Sequence, residues 1–289
     1  MLKAVISASR RTDIPKFYYD WLQEALHKGK VELTNPLYKT KKYAVDLEPD
    51  KVHSLVLWSK DFRNVRQSPR YLENYNLYFH YTINNYSKAL EPGVPSYEES
   101  LRTLEGLLTR YRPEQFNIRF DPLVISTVGE KNPTPEMPYQ ARLAAFENLL
   151  RDLRALGMNS ATRITTSYLS LYGHVKRRLK AQAELDVRHL QESVIKDLVK
   201  IMAEMADKFG FKLYSCASPL LENVPGVEKG HCIDGLLLES LFGEKVSKAK
   251  DRGQRESCGC TKSSDIGSYG MVCGHKCVYC YQGSTSIIS

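Results

Sequence analysis

No cysteine occurs in the first 215 of the 289 residues, and no apolar run exceeds a few residues. The longest, such as Gly235–Leu238, fall far short of the ~20 residues that cross a bilayer, so no membrane partner is expected. Met1–Ser7 meets Arg10 and Arg11 too early to hold the apolar stretch of a secretory signal; a cytoplasmic location is expected. Neither G-x-x-x-x-G-K-[ST] nor G-x-G-x-x-G is present, which removes the phosphate-loop and dinucleotide readings. With 42% hydrophobic and 26% charged residues, the composition excludes disorder and collagen-like structure. The length suits one large core or two small ones.

What is present is a basic chain with strand-length apolar runs between helical patterns. Ala4–Ser9, Ser54–Ser59, Leu77–Ile83, Phe116–Ile125, Ala161–Leu169 and Phe211–Ser215 read as six strands, with Tyr43–Leu47 as an accessory one. Asp13 and Pro15 signal a helix start, and Phe17, Trp21, Leu22 and Ala25 keep helical spacing as far as Gly29. Ser96-Tyr-Glu-Glu99 is a capping box opening a second helix. Further helices are expected at Tyr139–Leu156 and at His189–Phe209. Strands separated by helices imply βα units and a parallel sheet. The fold class expected is α/β, either open and doubly wound or a partial (β/α)6 barrel of TIM-barrel type. Both place chemistry at the C-terminal strand ends. Arg10, Arg11, Asp13, Lys60, Asp61, Asn84, Asn85, Arg119, Asp121, Thr166, Ser167 and Ser215 all fall there; each alone also reads as a cap or a surface ion pair.

From about Pro219 the pattern lapses, and Gly243–Ser257 is charged and poor in apolar residues. The expected division is a βα barrel over 1–218 and a Cys-rich C-terminal segment over 219–289, packed on the barrel. The seven cysteines are Cys216, Cys232, Cys258, Cys260, Cys273, Cys277 and Cys280. An odd count without a secretory signal argues against a disulfide framework. Crowding five of them into 258–280 points to metal or cluster ligation, with buried apolar thiols as the plain alternative. Cys273-x3-Cys277-x2-Cys280 offers three close thiolates, enough for three irons of a four-iron cubane, leaving the fourth iron open.

This C-x3-C-x2-C, with Tyr279 just before its last cysteine, resembles the signature of the radical S-adenosylmethionine (radical SAM) superfamily, whose fold is a partial barrel of six βα units. The whole chain also resembles an uncharacterised prokaryotic domain-of-unknown-function family with radical-SAM-like C-terminal cysteines. The matching stretches are Ile6–Pro15, Leu55–Asp61, Arg119–Pro122, Cys258-Gly-Cys260, Asp265-Ile-Gly-x-Tyr269 and Cys273–Tyr281. Two departures stand out. The superfamily's trio follows the first strand, whereas here it ends the chain, a permuted arrangement. No Gly-Gly-Glu is present, the stretch that in the superfamily holds the SAM amino group.

The resemblance implies a [4Fe-4S] cluster on Cys273, Cys277 and Cys280 whose open iron chelates SAM. Reductive cleavage of SAM then yields a 5′-deoxyadenosyl radical that abstracts hydrogen from an unknown substrate. A reductant such as a flavodoxin or ferredoxin would be a partner. By physical role, Arg10, Arg11 or Arg119 suits the SAM carboxylate and Asp121 or Asp13 its ammonium. Thr82, Thr166 and Ser167 are lesser candidates, and Tyr279 resembles an adenine-side aromatic. Cys216, Cys232, Cys258 and Cys260 complete a closed site, expected to hold a second [4Fe-4S] cluster, with zinc as the alternative. His231 and His275 lie among the cysteines and are expected to donate hydrogen bonds or to replace a thiolate. Two clusters would lower the net charge from +8 to about +5. A nucleic-acid substrate is the lesser expectation, since no stacking platform is interleaved with basic residues. The competing functions are a non-catalytic iron–sulfur electron carrier or sensor, and a zinc-binding, nucleic-acid-associated protein.

Overall fold

Strands buried on both faces belong in the middle of a parallel sheet. The computed structural model describes residues 2–34, 40, 42–126, 139–182, 185, 187–268 and 270–282. Its central feature is an eight-stranded, all-parallel sheet. The strands are β1 (Ala4–Ala8), β2 (Val52–Ser59), β3 (Leu77–Thr82), β4 (Phe116–Arg119), β5 (Arg163–Thr166), β6 (Lys212–Ser215), β7 (Val227–Lys229) and β8 (Ser264–Asp265). Their order in space is β8-β1-β2-β3-β4-β5-β6-β7.

The strands β1 to β6 are those expected from the sequence, and they lie side by side in chain order. The order contains no reversal, so the sheet lacks the switch point of a doubly wound fold. The sheet is open, with β8 and β7 as its two edges. Both edge strands come from beyond residue 218. Tyr269 lies outside the described residues.

The helices are α1 (Ile14–Phe17), α2 (Tyr19–His27), α3 (Arg63–Gln67), α4 (Tyr97–Leu108), α5 (Gln140–Ala155), α6 (Gly173–Ala181), α7 (Glu192–Lys208) and α8 (Gly235–Phe242). The capping box forms as expected: the Ser96 hydroxyl accepts from the Glu99 N–H, and the Glu99 carboxylate accepts from the Ser96 N–H. The helix expected after Asp13 is broken at Tyr18 into α1 and α2. The accessory strand is one half of an antiparallel ribbon, Lys30–Thr34 against Lys42–Asp46.

Period-two alternation sends each strand's residues to two different cores. Ile6, Leu55, Leu57, Phe79, Ile118, Ile164 and Leu213 pack with Leu104, Leu107, Phe146, Leu150, Leu198 and Met202 of α4, α5 and α7. Val5, Val56 and Tyr78 face the other way, into a cluster with Ile233, Leu238, Val246, Cys258 and Cys260. The cysteine-bearing segment therefore covers the sheet face that the main helices leave bare. Farther along that face, two residues beyond Val56, Tyr78 and Asn117, stand Trp58, His80 and Arg119.

Candidate metal and cofactor site

The seven thiols form two groups, of which the first meets this row through Arg119 and His80 at Cys232. The first is assembled from three separate segments. Cys216 follows β6, Cys232 follows β7, and Cys258 and Cys260 arrive from the long charged connection. The thiols of Cys216, Cys232 and Cys260 all lie within 4.8 Å of one another, the only such group of three among the described residues. Cys216 and Cys232 are 3.3 Å apart. Cys258 lies outside this tight group, yet near enough to Cys216 and Cys260 for the three thiols to shift one another. Hydrogen bonding to its neighbours raises the Cys216 thiol. Donation from Cys216 lowers both Cys258 and Cys260. The Arg119 Nη1 donates to the Cys232 sulfur at 3.3 Å, and the Ile233 N–H to that of Cys260 at 3.4 Å. His231 takes no thiol's place. Its ring lies against Gly259, where a Cβ would fall 1.9 Å from its Cε1; only glycine fits between the two cysteines.

The second group is the C-terminal trio. Its loop is held by three elements distant in sequence. The Cys273 thiol lies near the backbone N–H groups of His275 and Asp13, which lower it against the effect of burial; this sets it beside the loop that follows β1. His275 bridges from its Nδ1 to the Gly93 carbonyl at 2.9 Å and from its Nε2 to the Asp13 carboxylate at 2.7 Å. The Gly93 N–H donates to the His275 carbonyl at 3.0 Å, and the Val278 N–H to that of Leu90 at 3.0 Å. From the other side, the Arg178 guanidinium and His174 of α6 bond the carbonyls of Cys280 and Tyr281. Unlike the first group, these thiols do not converge to within 4.8 Å as a set. Burial pushes the Cys273 thiol up to about 11 and that of Cys277 up to about 12, so a metal binding there must displace protons.

Under the trio lies a buried polar network. Lys60 Nζ donates to Glu91 Oε1 at 2.8 Å and to the Tyr279 hydroxyl at 3.0 Å. Tyr279 donates to the same carboxylate oxygen. The Asn84 amide reaches Glu91 at 3.0 Å, Tyr279 at 3.1 Å and the Asp121 carbonyl at 3.0 Å. Burial works against both charges, but the pairing prevails: it raises Lys60 and lowers Glu91.

The residues expected at the cofactor fall into two sets. Arg11 bonds Asp265 and the Gly267 carbonyl. The Asp13 carboxylate accepts from Ser59, from the N–H groups of Lys16 and Lys60, and meets His275. Both side chains are thus committed to holding the β1 loop, the β2 end and the cysteine loop together. Arg10 and Arg119 instead lie over the Trp58 ring, at 5.5 and 5.4 Å from its centroid, and Trp58 stacks on His80 at 4.0 Å. Arg10 Nη2 is buried without a hydrogen-bond partner. Asp121 accepts from Arg119 and from Ser167. Thr166 spends its hydroxyl on the Phe120 carbonyl at 2.7 Å. Thr82 lines a cavity of about 220 Å³ with Asn84, Asn85 and Glu91.

A family profile described as a domain of unknown function, DUF1848, matches residues 5–282. The chain belongs to the DUF1848 family. No curated protein matches it. In this DUF1848 member the structure brings together what the sequence showed as separate motifs, and it adds residues that no motif announced. Glu91 lies in a loop without a pattern, 188 residues from its partner Tyr279. Trp58 and His80 read only as strand residues. Asp265 binds Ser7, Ser9, the Arg10 N–H and Arg11; its one sequence signal was a place in a matching stretch. No described helix is long and apolar enough to cross a membrane.

Proposed function

We propose that the sheet is a partial (β/α)6 barrel and that the protein is an enzyme of radical SAM type. The observation that carries this reading is the 2.7 Å bond between His275 of the cysteine loop and the Asp13 carboxylate. It sets the C-terminal trio beside the loop after β1, where the superfamily's own trio is attached. The unreversed strand order supports the barrel, and the trio's place at the C-terminal strand ends supports chemistry there.

The donor set fits a cubane. The three thiols sit on one short loop and stay apart, as they must when each serves a different iron. Cys273, Cys277 and Cys280 would hold the cluster. When bound and reduced by a flavodoxin or ferredoxin, it would supply one electron to cleave SAM to a 5′-deoxyadenosyl radical that takes hydrogen from an unidentified substrate.

The remaining roles belong to the chain itself. Arg10, with a buried N–H free of partners, suits the SAM carboxylate. Asp121, braced by Arg119 and Ser167, suits an ammonium or ribose hydroxyl. Lys60, Glu91 and Asn84 hold the Tyr279 hydroxyl, which fixes its ring. Leu90, Val94, Val124, Leu169 and Val278 form an apolar cluster around Cys277 and Tyr279 that excludes water.

The test is anaerobic reconstitution with iron and sulfide, followed by reduction with dithionite in the presence of SAM. The expected result is about four irons on the trio and formation of 5′-deoxyadenosine, both lost in C273A/C277A/C280A. A cluster that reduces yet forms no 5′-deoxyadenosine, and whose spectra ignore SAM, assigns the protein to electron transfer instead.

A further inference from the structure

The four-cysteine group differs in geometry from the C-terminal trio, and the difference discriminates between occupants. A tetrahedral zinc with Zn–S bonds of about 2.3 Å holds its thiolates about 3.8 Å apart. A cubane places each thiolate on a different iron and so spreads them farther. Cys216, Cys232 and Cys260 are mutually within 4.8 Å, with one pair at 3.3 Å. Cys258 lies just outside this group, joined to Cys260 through Gly259. Three sulfurs therefore converge on a space suited to a single ion, with Cys258, two residues from Cys260, beside it as the fourth donor.

We propose that Cys216, Cys232, Cys258 and Cys260 form a mononuclear, closed zinc site, distinct from any cluster on the C-terminal trio. Four thiolates leave no open position, so the ion is structural. It ties the loop after β6, the loop after β7 and the 258–260 turn into one knot. That knot belongs to the cluster packed on Val5, Val56 and Tyr78, so the ion anchors the segment covering this face of the sheet. A zinc with four thiolates carries about −2. The Arg119 guanidinium and the Ile233 N–H, which already donate to two of the sulfurs, are the outer partners such a site requires. Through the Arg119–Asp121 pair the ion also sets the position of a carboxylate at the candidate cofactor site.

The experiment uses the full chain carrying C273A/C277A/C280A, produced in medium supplied with both iron and zinc and purified without oxygen. Metal and acid-labile sulfide are measured per chain, and the zinc is then exchanged for cobalt. The expected result is one zinc per chain, neither iron nor sulfide, and the visible bands of tetrahedral cobalt thiolate. Four irons with sulfide in this variant overturn the proposal, as does one iron without sulfide, or a folded variant binding no metal. The wild-type chain guards against misfolding of the variant: it is expected to hold one zinc beside its iron. Since the trio is absent from the variant, the radical-chemistry reading can fail while zinc binding stands, and the reverse.

Discussion

Replacing Glu91 by Gln keeps the shape of the side chain and removes one buried charge. Glu91 is 3% exposed and Lys60 16%, so this is a buried pair and not a surface one. Water does little to screen it. Three donors converge on Glu91 Oε1, and an amide oxygen accepts the Asn84 and Tyr279 bonds nearly as well. The loss is the counter-charge of the Lys60 ammonium. Leaving a buried charge uncompensated costs about 3–5 kcal/mol. At roughly 2–4 °C per kcal/mol for a chain of this size, E91Q is expected to lower the Tm by about 6–20 °C. In K60M/E91Q no orphan charge remains, so the double variant is expected to be more stable than the sum of the two single losses by at least about 2 kcal/mol. The assay is urea unfolding of the four proteins in one buffer at one metal loading, because bound metal itself shifts the midpoint. Additive losses, or an E91Q cost below about 1 kcal/mol, would refute a charge pair as what holds Tyr279 in place.

Three more outcomes follow from particular contacts. His80 donates from Nε2 to the Cys232 carbonyl at 2.6 Å, and burial lowers it from 6.5 to about 3. The unfolded chain takes up this proton below 6.5 and the folded chain only near 3. Its contribution is therefore complete above pH 6.5 and shrinks as the pH falls; between pH 7.5 and 5.0 wild type should lose about 2 kcal/mol more than H80Q in denaturant titrations. G93A places a Cβ 2.7 Å from the Gly274 carbonyl oxygen and 2.9 Å from the His275 Cα. It is expected to displace the cysteine loop and to reduce iron uptake after reconstitution; full uptake would show that the trio does not depend on this contact. S96A removes the hydroxyl that caps α4 and should cost about 1 kcal/mol, read as a shifted urea midpoint at unchanged slope.

What could be read from the residues alone was local. Strand-length apolar runs bounded by turns specify β1 to β6, because a strand buried on both faces needs only that pattern. The Ser96–Glu99 box specifies the start of α4 for the same reason, since both partners lie within one turn. The spacing of Cys273, Cys277 and Cys280 marks one short loop as a ligand set. Elements with weak periodicity were not legible. The helix α6 buries only Val175 and Leu179 among lysines and arginines, and α8 opens on a leucine run that reads as apolar without a direction.

Contacts across long stretches of chain were decided by the tertiary structure. The grouping of Cys216 and Cys232 with Cys258 and Cys260 rests on three loops meeting over one sheet face, and no spacing rule encodes that meeting. The seating of the cysteine loop on Asp13 through His275, and of Tyr279 between Lys60, Asn84 and Glu91, depends likewise on where the 273–281 loop lands. A sequence pattern reports which chemistry each residue can perform. Which residues stand within 3 Å of one another is set by packing the whole sheet, and that packing decides whether a cysteine belongs to a tight knot or to an open trio.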